Sequence, residues 1–326
     1  MRAPGFWFAP PGLAATALAP LAGLWRLCAW VRRVSTKPET APLPVICIGN
    51  LTAGGAGKTP MASAWLARLT EQGYAPHLVT RGYGGRERGP HRVDPLADRA
   101  ERVGDEALLL ASWAPVWVAR DRAAGARAAA AAGADLLLLD DGFQNPGLRK
   151  DASVLMVDAG QGFGNGRVIP AGPLREPMGP GLARTDAVVL VGSERARAAA
   201  VERWPGLGDA LAAELRPVET GLALKGLPVV AFAGIGRPEK FFETLHREGA
   251  RLIGAHGFPD HHVYAPQVLR RLVAEARRAG AMLLTTEKDA VRLAPEFRRE
   301  VMAVPVRLEV ADWAPLDRIV AALAPK

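Results

Sequence analysis

The residues with the clearest chemistry lie at positions 44–60, where a short β-branched run is followed by a glycine-rich turn and then by Gly57, Lys58 and Thr59. Because glycine has no Cβ, the turn can adopt positive φ angles and close its N–H groups around phosphate oxygens. Lys58 then reaches the β- and γ-phosphates, and the Thr59 hydroxyl can ligate Mg²⁺ where the next helix begins. The segment predicts a P-loop that binds a nucleoside triphosphate. Its nucleotide-binding residues would be Thr52, Ala53, Gly54, Gly55, Ala56, Gly57, Lys58 and Thr59.

The loop departs from the strict P-loop pattern at one position. The pattern G-x-x-x-x-G-K-[ST] requires glycine at position 52, where this chain has Thr52. A glycine-rich turn between a strand and a helix is the alternative interpretation, but it leaves the adjacent Gly-Lys-Thr unexplained. The order of strand, loop and helix signals therefore favours the P-loop.

A second group of candidate residues ends the apolar run at positions 136–141, LLLLDD. Four apolar residues are typical of a strand buried in a parallel sheet, and such a strand ends at the edge where a P-loop opens. Asp140 and Asp141 would point to opposite sides of an extended strand. One of them would ligate Mg²⁺ directly, and the other would act through water or hold a neighbouring side chain. The alternative is a strand that ends in a solvated Asp-Asp turn.

The sequence around these residues alternates strand and helix patterns, which predicts a P-loop NTPase-like α/β fold with a mainly parallel sheet and helices on both faces. Pro305 would place the last strand at a sheet edge, because proline cannot donate to a ladder. The predicted strands are 76–80, 116–119, 136–140, 154–158, 187–191, 229–233, 282–285 and 304–308, and the predicted helices are 61–72, 104–112, 123–132, 238–248 and 266–279.

The 326 residues are enough for two domains. A proline-bearing stretch at 217–226 precedes a new strand, and we place the domain boundary there. The predicted units are an N-terminal segment of residues 1–40, a P-loop domain of residues 41–220, and a smaller α/β domain of residues 221–326.

The charge and the cysteines limit the class of protein. A net charge of +8 and a pI near 10.0 indicate an acidic partner, which could be nucleic acid, an anionic membrane or a phosphorylated substrate. No nucleic-acid-binding motif supports the first of these. Cys28 and Cys47 provide neither a disulfide framework nor a zinc site, which suits a reducing cytosol.

The N-terminal segment is predicted to contact a membrane. Residues 12–25 are almost wholly apolar and basic residues follow them, but the run is shorter than the roughly 20 residues that span a bilayer. Arg26, Trp30 and Arg33 recur on one side of a helix, an arrangement suited to the headgroup layer, and Trp25 adds a second candidate interfacial ring. A buried core helix is one alternative, and a cleaved signal peptide is a weaker one.

Several motifs in order give the chain a family resemblance. They are residues 49–52, the loop 81–85, and residues 103–106, 140–144, 172–176, 258–262 and 286–289. With them the chain resembles the tetraacyldisaccharide 4'-kinases, which phosphorylate the lipid A precursor on the cytoplasmic side of the bacterial inner membrane. Thr52 in place of the first P-loop glycine also looks like this family.

The resemblance implies a catalytic set of Asp105, His261 and Lys58. Asp105 would be the base that takes the proton from the sugar 4'-hydroxyl, and His261 would pair with it. A lone exposed aspartate is a feeble base at neutral pH, whereas one coupled to a histidine can hand on its proton. The alternatives are an Asp105 that caps a helix and a His261 that merely lies in the turn before the next helix.

The resemblance also implies the metal ligands. Mg²⁺ would be held by Thr59 together with Asp140 or Asp141 and, by analogy, by Glu176. The implied cofactors are ATP and Mg²⁺. The implied partners are the lipid A disaccharide precursor and the inner-membrane surface, without nucleic acid, for an enzyme peripheral on the cytoplasmic face of that membrane.

Arginines would steady the phosphate charge in such a site. Arg175 and Arg122 suit this role because a planar guanidinium can contact two phosphate oxygens, although Arg120 could replace Arg122 in the argument. The alternative for Arg175 is a surface ion pair with the adjacent Glu176. One departure from the family is Asn145, which stands where the motif usually has histidine and cannot carry a proton near neutral pH.

Two further segments have open interpretations. Residues 286–289 could touch the nucleotide base or ribose, or Thr286 could cap a helix. The arginines of residues 81–92 could meet the anionic lipid or simply be solvated. A rival function is a membrane-positioned ATPase switch, but such proteins carry an extra lysine early in the loop, where this chain has Ala53.

Overall fold

The structure is a computed structural model that describes residues 3–218 and 223–324. The strands are β1 (Val45–Gly49), β2 (Pro76–Thr80), β3 (His91–Arg92), β4 (Val116–Val118), β5 (Leu136–Asp140), β6 (Ala152–Asp158), β7 (Ala187–Val191), β8 (Leu211–Pro217), β9 (Pro228–Ala233), β10 (Arg251–Gly257), β11 (Met282–Thr286), β12 (Met302–Val304) and β13 (Val306–Val310). The helices are α1 (Leu13–Ala17), α2 (Ala19–Ser35), α3 (Lys58–Glu71), α4 (Ala100–Val103), α5 (Asp105–Leu110), α6 (Arg122–Ala131), α7 (Met178–Leu182), α8 (Glu194–Arg203), α9 (Pro238–Arg247), α10 (Pro266–Arg278), α11 (Glu287–Ala290), α12 (Pro295–Arg298) and α13 (Ala314–Leu323). Short 3₁₀ turns lie at Gly5–Trp7 and Pro205–Leu207.

The larger sheet has nine strands in the order β13-β8-β7-β6-β1-β5-β2-β4-β3. Every neighbouring pair from β8 to β4 is parallel, and only the two edge strands, β13 and β3, pair antiparallel. The predicted mainly parallel sheet is therefore confirmed. The P-loop follows β1, and Asp140 ends β5 with Asp141 directly after it, so these neighbouring strands bring the P-loop and the aspartates to the same edge.

Both faces of this sheet are covered, as the unbroken apolar runs of its central strands require. Alternate residues of β1 enter different cores: Ile46 packs in one cluster with Trp65 of α3, whereas Val45 packs in the other with Ala126 of α6. The small side chains of α6 allow that helix to lie close to the sheet. The predicted covering of both faces by helices is confirmed.

The smaller sheet contains four parallel strands in the order β10-β9-β11-β12. It is covered in the same way, because Val230 of β9 packs with Leu269 of α10 and Val229 packs with Leu245 of α9. The boundary predicted between residues 220 and 221 lies outside the described residues. The division into the units 1–40, 41–220 and 221–326 stays a prediction.

The end of the chain differs from the prediction of one edge strand at 304–308. Pro305 separates two strands that belong to different sheets: β12 ends the small sheet, and β13 pairs antiparallel with β8 at the edge of the large one. Proline has no N–H with which to continue a ladder, so the chain leaves the small sheet there. The following α13 returns to the first unit, where Asp317 accepts a hydrogen bond from Arg68 at 2.5 Å.

The N-terminal helix α2 is not a buried core helix, because Ala22 is its only fully buried residue. Leu21, Leu24 and Leu27 are more than half exposed. Among the described residues, none of the helices combines the length and the apolar character needed to cross a bilayer. Trp25 fastens α2 to the body of the protein, since its indole N–H donates to the Arg175 carbonyl at 3.0 Å.

Candidate active site

The P-loop runs from the end of β1 to the start of α3. Gly57 is the N-cap of α3 with a φ of 85°, a left-handed conformation that glycine adopts without a Cβ penalty. The Asn50 amide shapes the turn by donating to the carbonyls of Thr52 and Gly54 at 2.8 and 3.1 Å. Within the described residues, the N–H groups of 54–57 donate to no protein acceptor. They therefore remain available to phosphate oxygens.

Residues 172–176 brace the loop from outside. Thr52 forms an isolated antiparallel bridge with Leu174, the Ala53 N–H donates to the Pro173 carbonyl at 2.7 Å, and the Arg175 N–H donates to the Leu51 carbonyl at 2.7 Å. Position 52 thus has ordinary strand-like pairing and requires no glycine. This pairing is a physical reason for the departure from the strict P-loop pattern.

Lys58 begins α3 and lies between two oxygen atoms of the site. Its ammonium nitrogen is 3.2 Å from Asn50 Oδ1 and 3.4 Å from Asp141 Oδ1. The side chain is largely buried, so these contacts hold the charge at the phosphate-binding turn. The structure therefore brings the predicted P-loop lysine and one predicted carboxylate together.

The adjacent aspartates at the end of β5 have different environments. Asp140 is buried, and one of its oxygens accepts from the Thr80 hydroxyl at 3.2 Å. Burial first, and then the negative charge of Glu106, raise the pKa of Asp140 well above its ordinary value. Asp141 follows the strand with a φ of 50° and is more exposed. Burial acts to raise the pKa of Asp141, but the charges of Lys58 and Arg175 outweigh it and lower that pKa.

The residues at this edge fit a magnesium ion. Asp140 Oδ1 is buried and has no hydrogen-bond partner among the described residues, and a nearby cation would stabilise such an oxygen. Among residues 3–218 and 223–324, no group of three or more His, Cys, Asp or Glu side chains could hold a metal ion by itself. Mg²⁺ beside a nucleotide needs only one or two carboxylates, since phosphates and waters complete its shell.

The Arg175–Glu176 surface pair is not observed: each side chain has its own charged partner, and the Gln144 amide lies between them, accepting from Arg175 at 3.3 Å and donating to Glu176 at 3.1 Å. Arg175 donates to Asp141 Oδ1 at 2.9 Å, whereas Glu176 accepts from Arg184 at 2.5 Å and from Gln144 at 3.1 Å. The Glu176 carboxylate is therefore already hydrogen-bonded through both oxygens. Arg175 lies in the predicted site, next to the acidic strand end.

The structure also places Arg122 and Asn145. Arg122 is buried at the start of α6, donates to the Ala119 carbonyl at 2.5 Å, and has a lowered pKa caused mainly by burial. Asp140 and Asp141 are the acidic groups whose charges act on it. The Asn145 side chain accepts from the Gly147 N–H at 2.8 Å, so it holds a turn.

Asp105 and His261 are in contact although 156 residues separate them. Their Oδ2 and Nδ1 atoms are 3.0 Å apart, and the Asp105 side chain is only 4% exposed. The helix predicted at 104–112 is observed as α5, which ends at Leu110 and begins one residue later than predicted, because Gly104, with a φ of 90°, is its N-cap. Asp105 is not the N-cap residue, but its Oδ1 accepts a hydrogen bond from the Glu106 N–H at 2.9 Å, so the carboxylate also satisfies a donor in the first turn of α5. Asp105 is the first helical residue, and its carboxylate faces the small sheet.

His261 is more than a residue of a connecting turn. It has a φ of 57°, and its ring lies 4.9 Å from the ring of Tyr83 between centroids. The second ring nitrogen is 3.7 Å from Asp260 Oδ2. The imidazole is thus held between the loop after β2, the start of α5 and its own turn.

Sequence reasoning missed Arg292, which also contacts Asp105. Arg292 Nε donates to Asp105 Oδ2 at 2.7 Å, and a second guanidinium nitrogen of Arg292 donates to the same oxygen. Burial acts to raise the pKa of Asp105. The hydrogen bond from His261 and the charges of Lys288 and Arg292 outweigh burial and hold that pKa well below its usual range. No local motif marks Arg292, so only the fold could reveal it.

The segment 286–289 forms the start of α11. Thr286 is its N-cap, and the Thr286 hydroxyl accepts from the Asp289 N–H at 3.1 Å, which confirms the helix-cap interpretation. Lys288 extends from the same turn to Glu106, 3.1 Å away. Glu106 in turn acts on the pKa of Asp140. The small sheet therefore contributes charge to the edge of the large sheet that carries the P-loop.

Comparison with known proteins decides the family. The family model described as tetraacyldisaccharide-1-P 4'-kinase, LpxK, matches residues 14–324. The chain belongs to this family. A tetraacyldisaccharide 4'-kinase of Jannaschia sp. is 55% identical over 324 residues, which cover 98% of both chains. The corresponding protein of Dinoroseobacter shibae is 52% identical over 335 residues, with 100% of this chain and 98% of that one covered.

A solved structure supports the fold of this LpxK family member. The structure of LpxK from Aquifex aeolicus, described as an "apo" form in complex with ATP, superposes with a TM-score of 0.74 and is 24% identical. The match covers 96% of this chain and 100% of that one. Both sheets therefore fall within a known P-loop architecture.

Proposed function

We propose that the protein is an ATP-dependent tetraacyldisaccharide 4'-kinase of lipid A biosynthesis. It would transfer the γ-phosphoryl group of ATP to the 4'-hydroxyl of a tetraacylated glucosamine disaccharide 1-phosphate. Full-length similarity to relatives with that name supports the activity. The observation that carries the chemistry is the Asp105–His261 contact, because a P-loop alone is shared with ATPases whereas an acceptor hydroxyl needs a proton acceptor.

In this reaction the P-loop binds and orients the triphosphate. The free N–H groups of residues 54–57 and the Lys58 ammonium would contact phosphate oxygens, and Arg175 would add positive charge. Thr59 and either Asp140 or Asp141 would hold Mg²⁺, and Glu176, a ligand by analogy, would first have to release Arg184 or Gln144. That ion, when bound, neutralises charge on the phosphates during transfer.

The Asp105–His261 pair orients the acceptor. Asp105 is ionised at neutral pH because cations and a hydrogen bond stabilise its carboxylate, so it can accept a hydrogen bond from the sugar hydroxyl. Phosphoryl transfer passes through a loose transition state, in which positioning of this hydroxyl matters more than strong basicity. The hydroxyl proton then passes to the Asp105–His261 pair as the new O–P bond forms.

The proposed location is the cytoplasmic face of the inner membrane, where the protein would be peripheral. The exposed leucines of α2 and the arginines near its end support this location. Apolar side chains would enter the headgroup boundary, and basic ones would meet anionic lipid. Acyl chains of the substrate would then lie close to the site.

A phosphate-transfer assay tests the function. Purified protein is incubated with γ-labelled ATP, Mg²⁺ and the tetraacyldisaccharide 1-phosphate, beside an acceptor whose 4' position is already phosphorylated. We expect label in the first lipid and none in the second. Release of label to water at a rate that the acceptor does not change would instead favour the ATPase switch, and would overturn the proposal.

A further inference from the structure

We infer that Arg292 is a positioning residue for the proposed phosphoryl transfer, because its guanidinium fixes the Asp105 carboxylate against His261. This inference rests on the proposed function and adds to it a residue outside the P-loop, the acidic strand end and the Asp105–His261 pair. Arg292 follows α11, so the side chain that sets the position of Asp105 comes from the small sheet.

Both ends of the Arg292 guanidinium are fixed. Its Nε and one terminal nitrogen converge on Asp105 Oδ2, while the other terminal nitrogen donates to the Gly234 carbonyl at 2.8 Å and to Asp289 at 2.9 Å. The side chains of Arg292 and Asp105 are 6% and 4% exposed. A planar guanidinium with each of its nitrogens hydrogen-bonded has little freedom to move.

Asp289 holds Arg292 in turn. The Asp289 carboxylate is fully buried and accepts from the Gly234 N–H at 3.0 and 3.1 Å, from the Tyr264 hydroxyl at 2.7 Å and from the Thr286 hydroxyl at 2.6 Å. These donors come from the ends of β9 and β11 and from the segment before α10. The small sheet therefore provides a rigid mount for the guanidinium.

Arg292 is the cation in direct contact with the Asp105 carboxylate, although the charge of Lys288 lowers the Asp105 pKa more than the charge of Arg292 does. Lys288 also acts on Asp105, but its ammonium lies 3.1 Å from Glu106 and 3.6 Å from Asp260, so two other carboxylates share its charge. His261 contributes one hydrogen bond at 3.0 Å. Arg292 contributes two donors and a full charge directly on the oxygen that His261 also contacts.

Loss of Arg292 would have two consequences for Asp105. The carboxylate would lose the partner that fixes its direction, and misplacement of about 1 Å can cost about 100-fold in rate. Removal of a lowering charge would also raise the pKa of Asp105 toward its ordinary value. Neither consequence touches the P-loop, so ATP affinity should be unchanged.

The experiment compares Arg292→Gln and Arg292→Lys with Arg277→Gln in the full-length protein. Arg277 is a matched control on the small unit, since it forms an exposed ion pair with Glu300 at 2.8 Å. We expect Arg292→Gln to lower kcat by up to about 100-fold with unchanged ATP dissociation, Arg292→Lys to restore part of kcat, and Arg277→Gln to have no effect. A ¹³C titration of labelled aspartate, assigned with Asp105→Asn, should show the Asp105 pKa raised in Arg292→Gln.

A double variant shows whether Arg292 acts through Asp105. In the Asp105→Asn background, Arg292→Gln should cost no further turnover, because the group it positions is already absent. Full kcat in Arg292→Gln, an additive loss in the double variant, or an unchanged Asp105 titration would overturn the inference. If Arg292→Gln does not fold, Arg292→Lys, measured with and without Asp105→Asn, tests in kcat whether position 292 acts through Asp105. Failure of the wild-type protein to label the lipid would reject the proposed function itself, which is a separate outcome.

Discussion

Trp25 of α2 donates its indole N–H to the carbonyl of Arg175 at 3.0 Å, and the Arg175 guanidinium donates to Asp141 at 2.9 Å. The same residue therefore contacts the proposed membrane helix through its backbone and the acidic strand end through its side chain. Because the Arg175 N–H also donates to the Leu51 carbonyl, the helix, the P-loop and the strand end are joined at one point. A displacement of α2 would therefore change the positions of the P-loop and of Asp141 through Arg175.

A conservative change at Trp25 tests this connection. Trp25→Phe keeps an apolar ring but removes the N–H donor, and a hydrogen bond of this kind contributes about 0.5–1.5 kcal/mol. We expect vesicle binding to persist while transfer to lipid falls about 2- to 10-fold, the factor that this energy represents. Trp30→Phe is the control, because Trp30 is an exposed ring of the same helix. Equal effects of the two changes would argue against a specific role for the Arg175 contact.

The proposed membrane contact of α2 predicts two outcomes in a vesicle-sedimentation assay. Deletion of residues 1–34 should release the protein from vesicles that contain anionic lipid, because the exposed apolar and basic side chains of α2 are lost. Binding of the intact protein should weaken as salt rises, since screening shortens the reach of surface charge to about 8 Å at physiological ionic strength. Persistent sedimentation of the truncated protein would place the anchor elsewhere.

Two neighbouring glycines of the P-loop should respond differently to alanine. Gly54 has a φ of 135°, which an L-residue adopts with strain, whereas Gly55 has no such angle, and an alanine Cβ at position 55 would meet no atom within 4 Å. We expect Gly54→Ala to lower the free energy of unfolding by about 1–3 kcal/mol and Gly55→Ala to leave it nearly unchanged. Urea titration of both variants measures the difference. Equal stabilities would mean that the loop relaxes around position 54.

Much of the fold could be predicted from local patterns. The predicted bounds of β5 and β7 agree with the observed ones, because buried parallel strands are continuous apolar runs between turn signals. β8 and β10 had no predicted counterpart. In β10 only alternate residues are shielded and the sequence contains arginine, glycine and histidine, so its pairing depends on β9 rather than on its own pattern. The return of the chain to the large sheet after Pro305 likewise depends on tertiary contacts, since β13 pairs with β8.

The candidate site likewise contains residues that local sequence patterns could identify and residues that they could not. The P-loop and the aspartates of β5 could be found from residue types, because their chemistry depends on neighbours in sequence. Asp105 and His261 could be paired only through a family resemblance, and the structure brings them to 3.0 Å. Arg292 had no signal, since its partner lies 187 residues away. Contacts between residues so far apart in the sequence depend on how the units of the two sheets pack against each other.

The proposed metal ligands predict a change in magnesium requirement. Asp140→Asn and Asp141→Asn each remove a negative oxygen from the strand end, so we expect a higher Mg²⁺ concentration for half-maximal transfer and a kcat lowered by about 100-fold or more. Kinase assays over a Mg²⁺ series measure both. Glu300→Gln removes a carboxylate from a surface ion pair with Arg277 and is the control. An unaltered Mg²⁺ dependence in both aspartate variants would exclude this pair as the metal site.

The ion pair of Asp105 and Arg292 predicts how stability depends on pH. The folded-state pKa of Asp105 is lowered, so its contribution is complete above the unfolded value of about 3.9 and is lost as pH falls toward the folded value. Asp105→Asn removes one of the two carboxylates that contact buried Arg292 and leaves Asp289, so it should cost about 1–3 kcal/mol at pH 7. Urea unfolding at several pH values measures the difference in the free energy of unfolding between the wild type and Asp105→Asn. This difference should narrow below about pH 4, because only the wild type has an ion pair to lose on acidification. Asp209→Asn, at an exposed position, should follow the wild type throughout. A difference between the wild type and Asp105→Asn that stays constant on acidification would mean that the Asp105 charge does not stabilise the fold.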